Sequence, residues 1–133
     1  MATYNKFQPW VDYMVEGANL ATDQFVVALT PDAPQNTYAT LSQLTNVPSY
    51  TNLSSRNITT SSASQTGGTF SLVLNDLTLS ATGTVGPFRY IVIYDDTVAG
   101  DPLVCWYDYG SSISLANGET FVIDFGANLF SLS

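Results

Sequence analysis

Apolar and polar residues alternate along much of the chain beyond residue 69, which is typical of β-strands with one buried face. Residues 69–75 carry apolar side chains at every second position, and residues 103–109 predict a later strand. Residues 87–94 are apolar on both faces apart from Arg89, as in a strand at the centre of a sheet. Asn117-Gly118 is a strong signal for a two-residue hairpin between residues 112–116 and 119–125.

The first half of the chain gives weaker strand signals. Residues 23–30 predict a strand covered on both faces, and residues 57–65 predict a polar edge strand that turns at Gly67-Gly68. Residues 37–47 fit either a short helical turn or a loop fixed by its apolar residues. The chain as a whole predicts seven to eight short antiparallel strands without a dividing linker, hence one all-β domain over residues 1–133, a sandwich or a barrel.

One segment predicts a helix, over about residues 6–19. Its apolar residues recur at steps of three and four, which places them on one face: Phe7, Trp10, Val11, Met14 and Ala18. Asn5 is a candidate N-cap, and Gly17 or Asn19 can end the helix. Two roles remain open, a plug at one end of the β core or an arm that grips a neighbouring subunit.

The charge of the chain excludes several classes of partner. Only 11% of the 133 residues are charged, and the net charge is −8 with three cations, Lys6, Arg56 and Arg89. Such a surface repels nucleic acid and anionic lipid, so we expect neither as a partner. The N-terminus lacks the apolar segment of a signal peptide, and no stretch is long enough to cross a membrane, which predicts a soluble protein made in a cytoplasm.

The residues that most enzymes use are scarce. The chain has no His and one Cys, which removes the commonest general base and the usual zinc ligands. Cys105 lies in an apolar run and is expected to pack in the core. No nucleophile elbow or phosphate-binding loop is present. We therefore expect a protein that is not an enzyme and needs no cofactor.

Acidic residues cluster around one loop. Asp95, Asp96 and Asp101 form a weak candidate calcium site, since an Asp-rich loop can supply oxygen ligands. A glycosidase-like acid pair is less favoured, because adjacent Asp residues in a turn are usually solvated. The favoured interpretation is that Asp is a turn residue here, with Asp95 capping the strand before it.

Two further residues carry a structural and a functional alternative. Arg89, a lone cation in a central strand, predicts an ion pair with Asp108 or Asp124 rather than a ligand clamp. Trp106 and its aromatic neighbours have the composition of a sugar-stacking platform, but a strand must bury half of these rings. The core is the favoured location of Trp106.

Most of the chain resembles a family of small head proteins of tailed bacteriophages, the decoration or cement proteins. The residues that carry the resemblance are Tyr4-Asn5-Lys6-Phe7, Phe88-Arg89-Tyr90-Ile91-Val92-Ile93-Tyr94-Asp95-Asp96-Thr97, Asp101-Pro102-Leu103, Trp106-Tyr107-Asp108-Tyr109-Gly110, Leu115-Ala116-Asn117-Gly118-Glu119-Thr120-Phe121 and Asp124-Phe125. Cys105 stands where members often carry Gly, a departure that concerns packing alone.

The resemblance implies a jelly-roll-like antiparallel β-sandwich that forms homo-oligomers, dimers or trimers. Such a protein binds the major capsid protein on the outer surface of the virion, stabilises its lattice, and is made in the cytoplasm of the host bacterium. The family offers no catalytic residues. The alternatives are a tail or neck structural protein and a carbohydrate-binding β-sandwich for host attachment.

Apolar residues near the two termini are the candidate contacts with neighbours. They are Tyr4 and Phe7 at one end of the chain and Leu129 and Phe130 at the other. Termini that carry apolar side chains often dock on an adjoining subunit.

Overall fold

The computed structural model describes residues 2–132 and is built mostly of antiparallel β-strands with one short helix. The predicted all-β antiparallel sandwich is confirmed, whereas the jelly-roll arrangement stays a prediction. In chain order the elements are β1 (Thr3–Lys6), α1 (Trp10–Glu16), β2 (Phe25–Thr30), a 3-10 turn (Leu41–Gln43), β3 (Asn57–Ile58), β4 (Thr60–Thr66), β5 (Thr69–Leu74), β6 (Leu77–Ser80), β7 (Val85–Asp95), β8 (Leu103–Leu115), β9 (Thr120–Ile123) and β10 (Phe130–Leu132).

The strands form a five-stranded sheet in the order β1-β8-β7-β2-β3, a three-stranded sheet β10-β5-β4 and a pair β6-β9. β7 lies at the centre of the larger sheet and pairs with β2 on one side and β8 on the other. This is the position that its two apolar faces predict, because a central strand of a covered sheet is buried on both sides.

The main core lies between one face of the five-stranded sheet and the two smaller sheets. Ile91 and Ile93 of β7 project into it, and Leu72, Leu79 and Ile123 meet them from β5, β6 and β9. All five side chains are fully buried. Burial of a Leu or Ile side chain stabilises a fold by about 1.5–3 kcal/mol, so this layer holds the sheets together.

The other face of the five-stranded sheet is covered by a loop. Its apolar residues Tyr38, Leu41 and Leu44 pack against a second buried cluster that includes Phe7 and Trp106. The ambiguous segment 37–47 is thus a loop with one 3-10 turn, fixed by these three residues. Coverage on both sides explains why every residue of β2 is buried, as predicted.

The N-terminal helix is shorter than predicted. α1 spans Trp10–Glu16, whereas Thr3–Lys6 form an edge strand paired with β8, so Asn5 is not an N-cap. Pro9 precedes the helix, and it ends at Gly17, whose N–H donates to Tyr13 O. The pairing with β8 overrides the helical spacing of residues 5–9, because it buries Phe7 between that strand and the loop above it.

The predicted hairpin at Asn117-Gly118 is wrong in one respect. The turn exists, with Gly118 at φ 87° and a hydrogen bond from Glu119 N to Ala116 O of 3.0 Å. However, the strand before it runs unbroken through β8 and pairs with β7, while the strand after it pairs with β6. Gly118 N also donates to Ala81 O, so the turn carries the chain from one sheet to the other.

The polar segment forms the predicted hairpin at Gly67-Gly68, but the single edge strand predicted over residues 57–65 is wrong, because Asn57–Ile58 pair with β2 and only Thr60–Thr66 pair with β5. β4 and β5 are joined at Gly67-Gly68, where both glycines have positive φ, and β4 is an edge strand. Its exposed Ser and Thr residues carry the solvated face of this strand. Among residues 2–132, no helix has the length and apolar character needed to cross a membrane.

Candidate interaction surfaces

Large apolar side chains are rarely exposed in the described part of the chain, and all but Val47 of those that are lie at two places. The exposed ones are Tyr4, Val11, Val15, Val47, Val122 and Leu132. Val15 and Leu132 lie together beside α1, with Val11 one helical turn before Val15, and Tyr4 and Val122 line a cleft elsewhere. Clustered exposed apolar residues mark binding surfaces, whereas isolated ones need no explanation.

The first surface, here called the α1 groove, lies between the helix and the end of the chain. Its lining residues are Met14, Val15, Ala18, Asn19, Leu20, Ala21, Phe70 and Leu132. Val15 is 80% exposed and Leu132 is 53% exposed, and no charged side chain lines the groove. The helix therefore turns only Trp10 fully into the core and leaves a second apolar face open.

The second surface, the tyrosine cleft, lies where β1 and β8 meet the end of β9. Three tyrosines, Tyr4, Tyr107 and Tyr109, share it with Val122 and the carboxylate of Asp124. The rings of Tyr4 and Tyr107 pack edge to face, with centroids 5.6 Å apart. The cleft has a volume of about 470 Å³, and its mostly apolar lining includes the polar side chains of Asp124 and Asn128.

The four terminal residues predicted as contacts have different fates. Phe7 and Leu129 are buried, at 0% and 4% exposure, because each packs into a core cluster, so neither is available to a neighbour. Tyr4 is 39% exposed in the tyrosine cleft. Phe130 is partly buried against the main core. The exposed apolar contribution of this end of the chain comes instead from Leu132.

The three aspartates of the candidate calcium site do not converge. Asp95 is fully buried, Asp96 is exposed, and Asp101 adopts a positive φ of 51° in the loop. Desolvation is the larger cause that raises the pKa of the Asp101 carboxyl, and the nearby Asp96 carboxyl raises this pKa further. Within residues 2–132, no group of three or more His, Cys, Asp or Glu side chains is arranged to hold a metal ion.

Asp95 acts as a turn residue, as predicted, but it is not solvated. Its Oδ1 accepts the N–H groups of Thr97 and Val98, at 3.0 and 3.4 Å. Its Oδ2 is buried without a hydrogen-bond partner among the described residues. Burial in the sheet, opposite Phe25 in the register, therefore corrects the expectation that this turn carboxyl faces water.

A second carboxyl, that of Asp23, lies beside Asp95 and is 9% exposed. Desolvation, followed by the interaction with the Asp23 carboxyl, raises the pKa of Asp95 to about 7 from the ordinary value of 3.8. A proton shared between the two carboxyls would supply the donor that Asp95 Oδ2 lacks. Neither residue lines the α1 groove or the tyrosine cleft, which makes the pair a feature of the core rather than of a surface site.

The predicted ion pair of Arg89 forms with Asp108. Arg89 Nε lies 2.8 Å from Asp108 Oδ1, and Nη2 lies 3.2 Å from Oδ2, so the ion pair is bidentate. Both side chains are partly exposed, so Arg89 is not the buried cation that its strand position suggests. Asp108 Oδ1 also accepts Gly110 N–H at 2.8 Å, which fixes the carboxylate for the arginine.

Cys105 and Trp106 both lie in the core, as predicted. Burial raises the pKa of the Cys105 thiol, which keeps it protonated and unreactive at neutral pH. Trp106 is 8% exposed and packs on Phe7 with ring centroids 4.6 Å apart. It therefore offers no open ring face for a sugar.

The sequence did not single out the residues that the surfaces expose most. Val15 and Leu132 read as ordinary apolar positions, because exposure depends on which elements pack over them. Leu20 and Phe70, which complete the α1 groove, come from segments far apart in the chain. The helical spacing places Val11 on the predicted apolar face and does not include Val15, so no second apolar face of the helix was predicted.

Comparison of the chain with family models, curated proteins and solved structures finds no match.

Proposed function

We propose that this protein decorates the outside of a tailed-phage head, where its homo-oligomers bind the major capsid protein and stabilise the shell without performing catalysis. The observation that carries the proposal is the α1 groove. A contiguous apolar surface that ends in Val15 at 80% exposure is unusual for a protein with no partner. The resemblance of residues 87–125 to head decoration proteins supplies the identity of the partner.

The charge of the chain supports a position outside the shell. With a net charge of −8, the protein is repelled by packaged DNA but tolerated on an outer surface. The α1 groove is free of charged lining residues, so its contact with a capsid protein would involve little desolvation of ions. Charge thus selects the side of the shell, and the apolar groove supplies the adhesion.

Stabilisation by such a clamp follows from mass action. A protein that binds the assembled lattice better than the free subunits shifts the equilibrium toward the lattice. Many copies act together, so a modest interface of about 800 Å² per partner suffices at each site. No chemical step is required, in keeping with the scarcity of catalytic side chains.

The test uses shells that lack the protein and measures the temperature at which they release DNA. Added protein should raise this temperature, and the double variant Val15→Asp/Leu132→Asp should not, because charge in the α1 groove opposes burial. Val47→Asp is the matched control, since Val47 is 40% exposed but lies outside both surfaces. If the protein leaves the release temperature unchanged, or if the double variant protects fully, the proposal fails.

A carbohydrate-binding role remains the second candidate, and the tyrosine cleft is the observation that favours it. Sugar sites combine aromatic rings with carboxylate and amide groups, and this cleft offers three tyrosines, Asp124 and Asn128. Binding of the folded protein to host-surface glycans, abolished by Tyr4→Ala or Asp124→Asn, would support this role over capsid decoration.

A further inference from the structure

β1 is the outer strand of the five-stranded sheet, and its outer edge has no partner strand in the described part of the chain. Its inner edge pairs with β8 in a register that sets Tyr4 opposite Tyr107 and Lys6 opposite Cys105. Edge strands are usually protected by charges, prolines or bulges. β1 carries only the charge of Lys6, so this edge is open to another strand.

The backbone groups that face outward follow from the ladder. Phe7 N donates to Val104 O at 3.2 Å, so Phe7 and Val104 form a hydrogen-bonded pair that continues the β1–β8 register. Hydrogen-bonded and non-hydrogen-bonded pairs alternate along antiparallel strands. The backbone N–H and C=O groups of Thr3 and Asn5 therefore also face β8. The N–H and C=O groups of Tyr4 and Lys6 therefore point away from the sheet.

The open edge is short and has a defined end. The next outward-pointing donor, Gln8 N, donates a hydrogen bond to Asn36 O at 2.7 Å. The loop at residues 34–36 therefore covers the edge beyond Lys6. Between that loop and β1 lies a groove of about 590 Å³ lined by Tyr4, Asn5 and Lys6. Only the four residues of β1 are thus available for pairing.

We propose that the outer edge of β1 pairs with β1 of a second copy of this chain, antiparallel and with the two-fold axis at Asn5. Tyr4 of one copy then lies opposite Lys6 of the other, and each such pair exchanges two hydrogen bonds. The outward backbone groups belong to Tyr4 and Lys6, which flank Asn5. A two-fold axis at Asn5 therefore brings the outward groups of Tyr4 in one copy to those of Lys6 in the other. The result joins two five-stranded sheets into one.

The charges around β1 favour a second copy at this place. Two chains of net charge −8 repel each other over most of their surfaces. Residues 2–8 contain no acid and one of the three cations of the chain, and the nearby Asp108 is already paired with Arg89. Two copies therefore meet here without bringing free carboxylates together.

The side chains agree with the same register. Residues directly opposite each other share a face, so Tyr4 and Lys6 lie on the face of Tyr107 and Cys105. In the pair, each Lys6 ammonium comes beside the Tyr4 ring of the other copy, and the two ammonium groups are offset along the strands. Asn5 meets its own copy on the opposite face, where the two amides can hydrogen-bond.

The proposal specifies the self-association included in the proposed function, and it is tested on the free protein so that the two can fail separately. In Asn5→Cys, the two cysteines lie in a non-hydrogen-bonded pair with Cα atoms about 4.5 Å apart, within reach of a disulfide. Mild oxidation should give a covalent dimer. The control Gln8→Cys places its thiols about 20 Å apart along the ladder and should stay monomeric.

Sedimentation of two variants at Lys6 tests the backbone pairing. Lys6→Pro removes an outward N–H that the monomer does not use, and it should weaken the dimer on the order of tenfold or more. Lys6→Ala keeps that N–H and should dimerise nearly as well as the unmodified chain. A monomer at all concentrations, equal cross-linking of both cysteine variants, or unchanged association of a folded Lys6→Pro would overturn the proposal. Should Lys6→Pro not fold, the cysteine pair decides.

Discussion

The guanidinium of Arg56 lies 3.8 Å from the ring centre of Tyr50, and the two side chains together close part of the edge of β2. β3 pairs only with the first two residues of β2, Phe25 and Val26. Beyond them, Arg56 Nη1 donates to Val27 O at 2.6 Å, and the Tyr50 hydroxyl accepts Leu29 N–H at 3.0 Å. Side chains thus satisfy buried backbone groups that a longer strand would otherwise pair.

Tyr50→Phe should therefore destabilise the protein although it removes a single oxygen. The buried Leu29 N–H loses its acceptor, which costs about 1–3 kcal/mol. The midpoint of urea unfolding measures the loss. Tyr38→Phe is the control, because Tyr38 packs on the sheet without a side-chain hydrogen bond among the described contacts. Equal midpoints for the two variants would contradict this role of the hydroxyl.

The arrangement at β2 shows where sequence-based prediction stops. Strong local patterns identify β7 as central and β4–β5 as a hairpin, because alternation and Gly-Gly turns are properties of adjacent residues. Nothing adjacent links Tyr50 or Arg56 to a strand more than twenty residues earlier. In the sequence, Arg56 is indistinguishable from an ordinary surface cation, although in the fold it donates to a backbone carbonyl at the edge of β2.

The predictions for the N-terminal segment and for the terminal contact residues fail for a related reason. The apolar residues near the N-terminus show the helical spacing, and the strand that forms there instead depends on pairing with β8, about a hundred residues away. Likewise, Phe7 and Leu129 are apolar residues near the termini, as a docking residue would be, yet the fold buries both. Exposure is decided by tertiary packing, so the α1 groove could not be assembled from the sequence.

The buried acid pair predicts an unusual dependence of stability on pH. The pKa of Asp95 is about 7 in the folded protein and near 3.8 when unfolded, so between these values the folded state binds more protons. Stability from this group is therefore fully present below about pH 4 and is lost as pH rises to about 7. Asp95→Asn should remove this loss, because the amide keeps the acceptor for Thr97 and needs no proton.

Urea unfolding of the unmodified chain and Asp95→Asn at pH 5 and pH 8 gives the measurement. The variant should gain stability relative to the unmodified chain at the higher pH. Asp96→Asn, a change of the exposed neighbour, should leave the pH dependence unaltered. A difference between Asp95→Asn and the unmodified chain that is the same at both pH values would show that the carboxyl is ionised throughout.

The single thiol should report on unfolding. Cys105 is fully buried near the start of β8, and the raised pKa keeps it protonated, so a thiol reagent should not label it in the native state. Labelling should become complete in denaturant, with a midpoint that matches that of circular dichroism. Rapid labelling of the native protein would indicate that β8 opens locally, near its pairing with β1.

Substitutions of Trp106 and Tyr4 should differ in their effect on stability, because Trp106 packs in the core whereas Tyr4 lines a surface cleft. Trp106→Ala should cost about 3–5 kcal/mol, because the ring fills the second core cluster against Phe7 and its loss leaves a cavity. Tyr4→Ala should cost less, since Tyr4 is 39% exposed. Thermal unfolding of both variants gives the order. A Trp106→Ala protein as stable as Tyr4→Ala would mean that the loop over Trp106 is not packed on it. In that case the indole would be free to meet a ligand, and the aromatic side chains of β8 would have to be considered again as a binding surface.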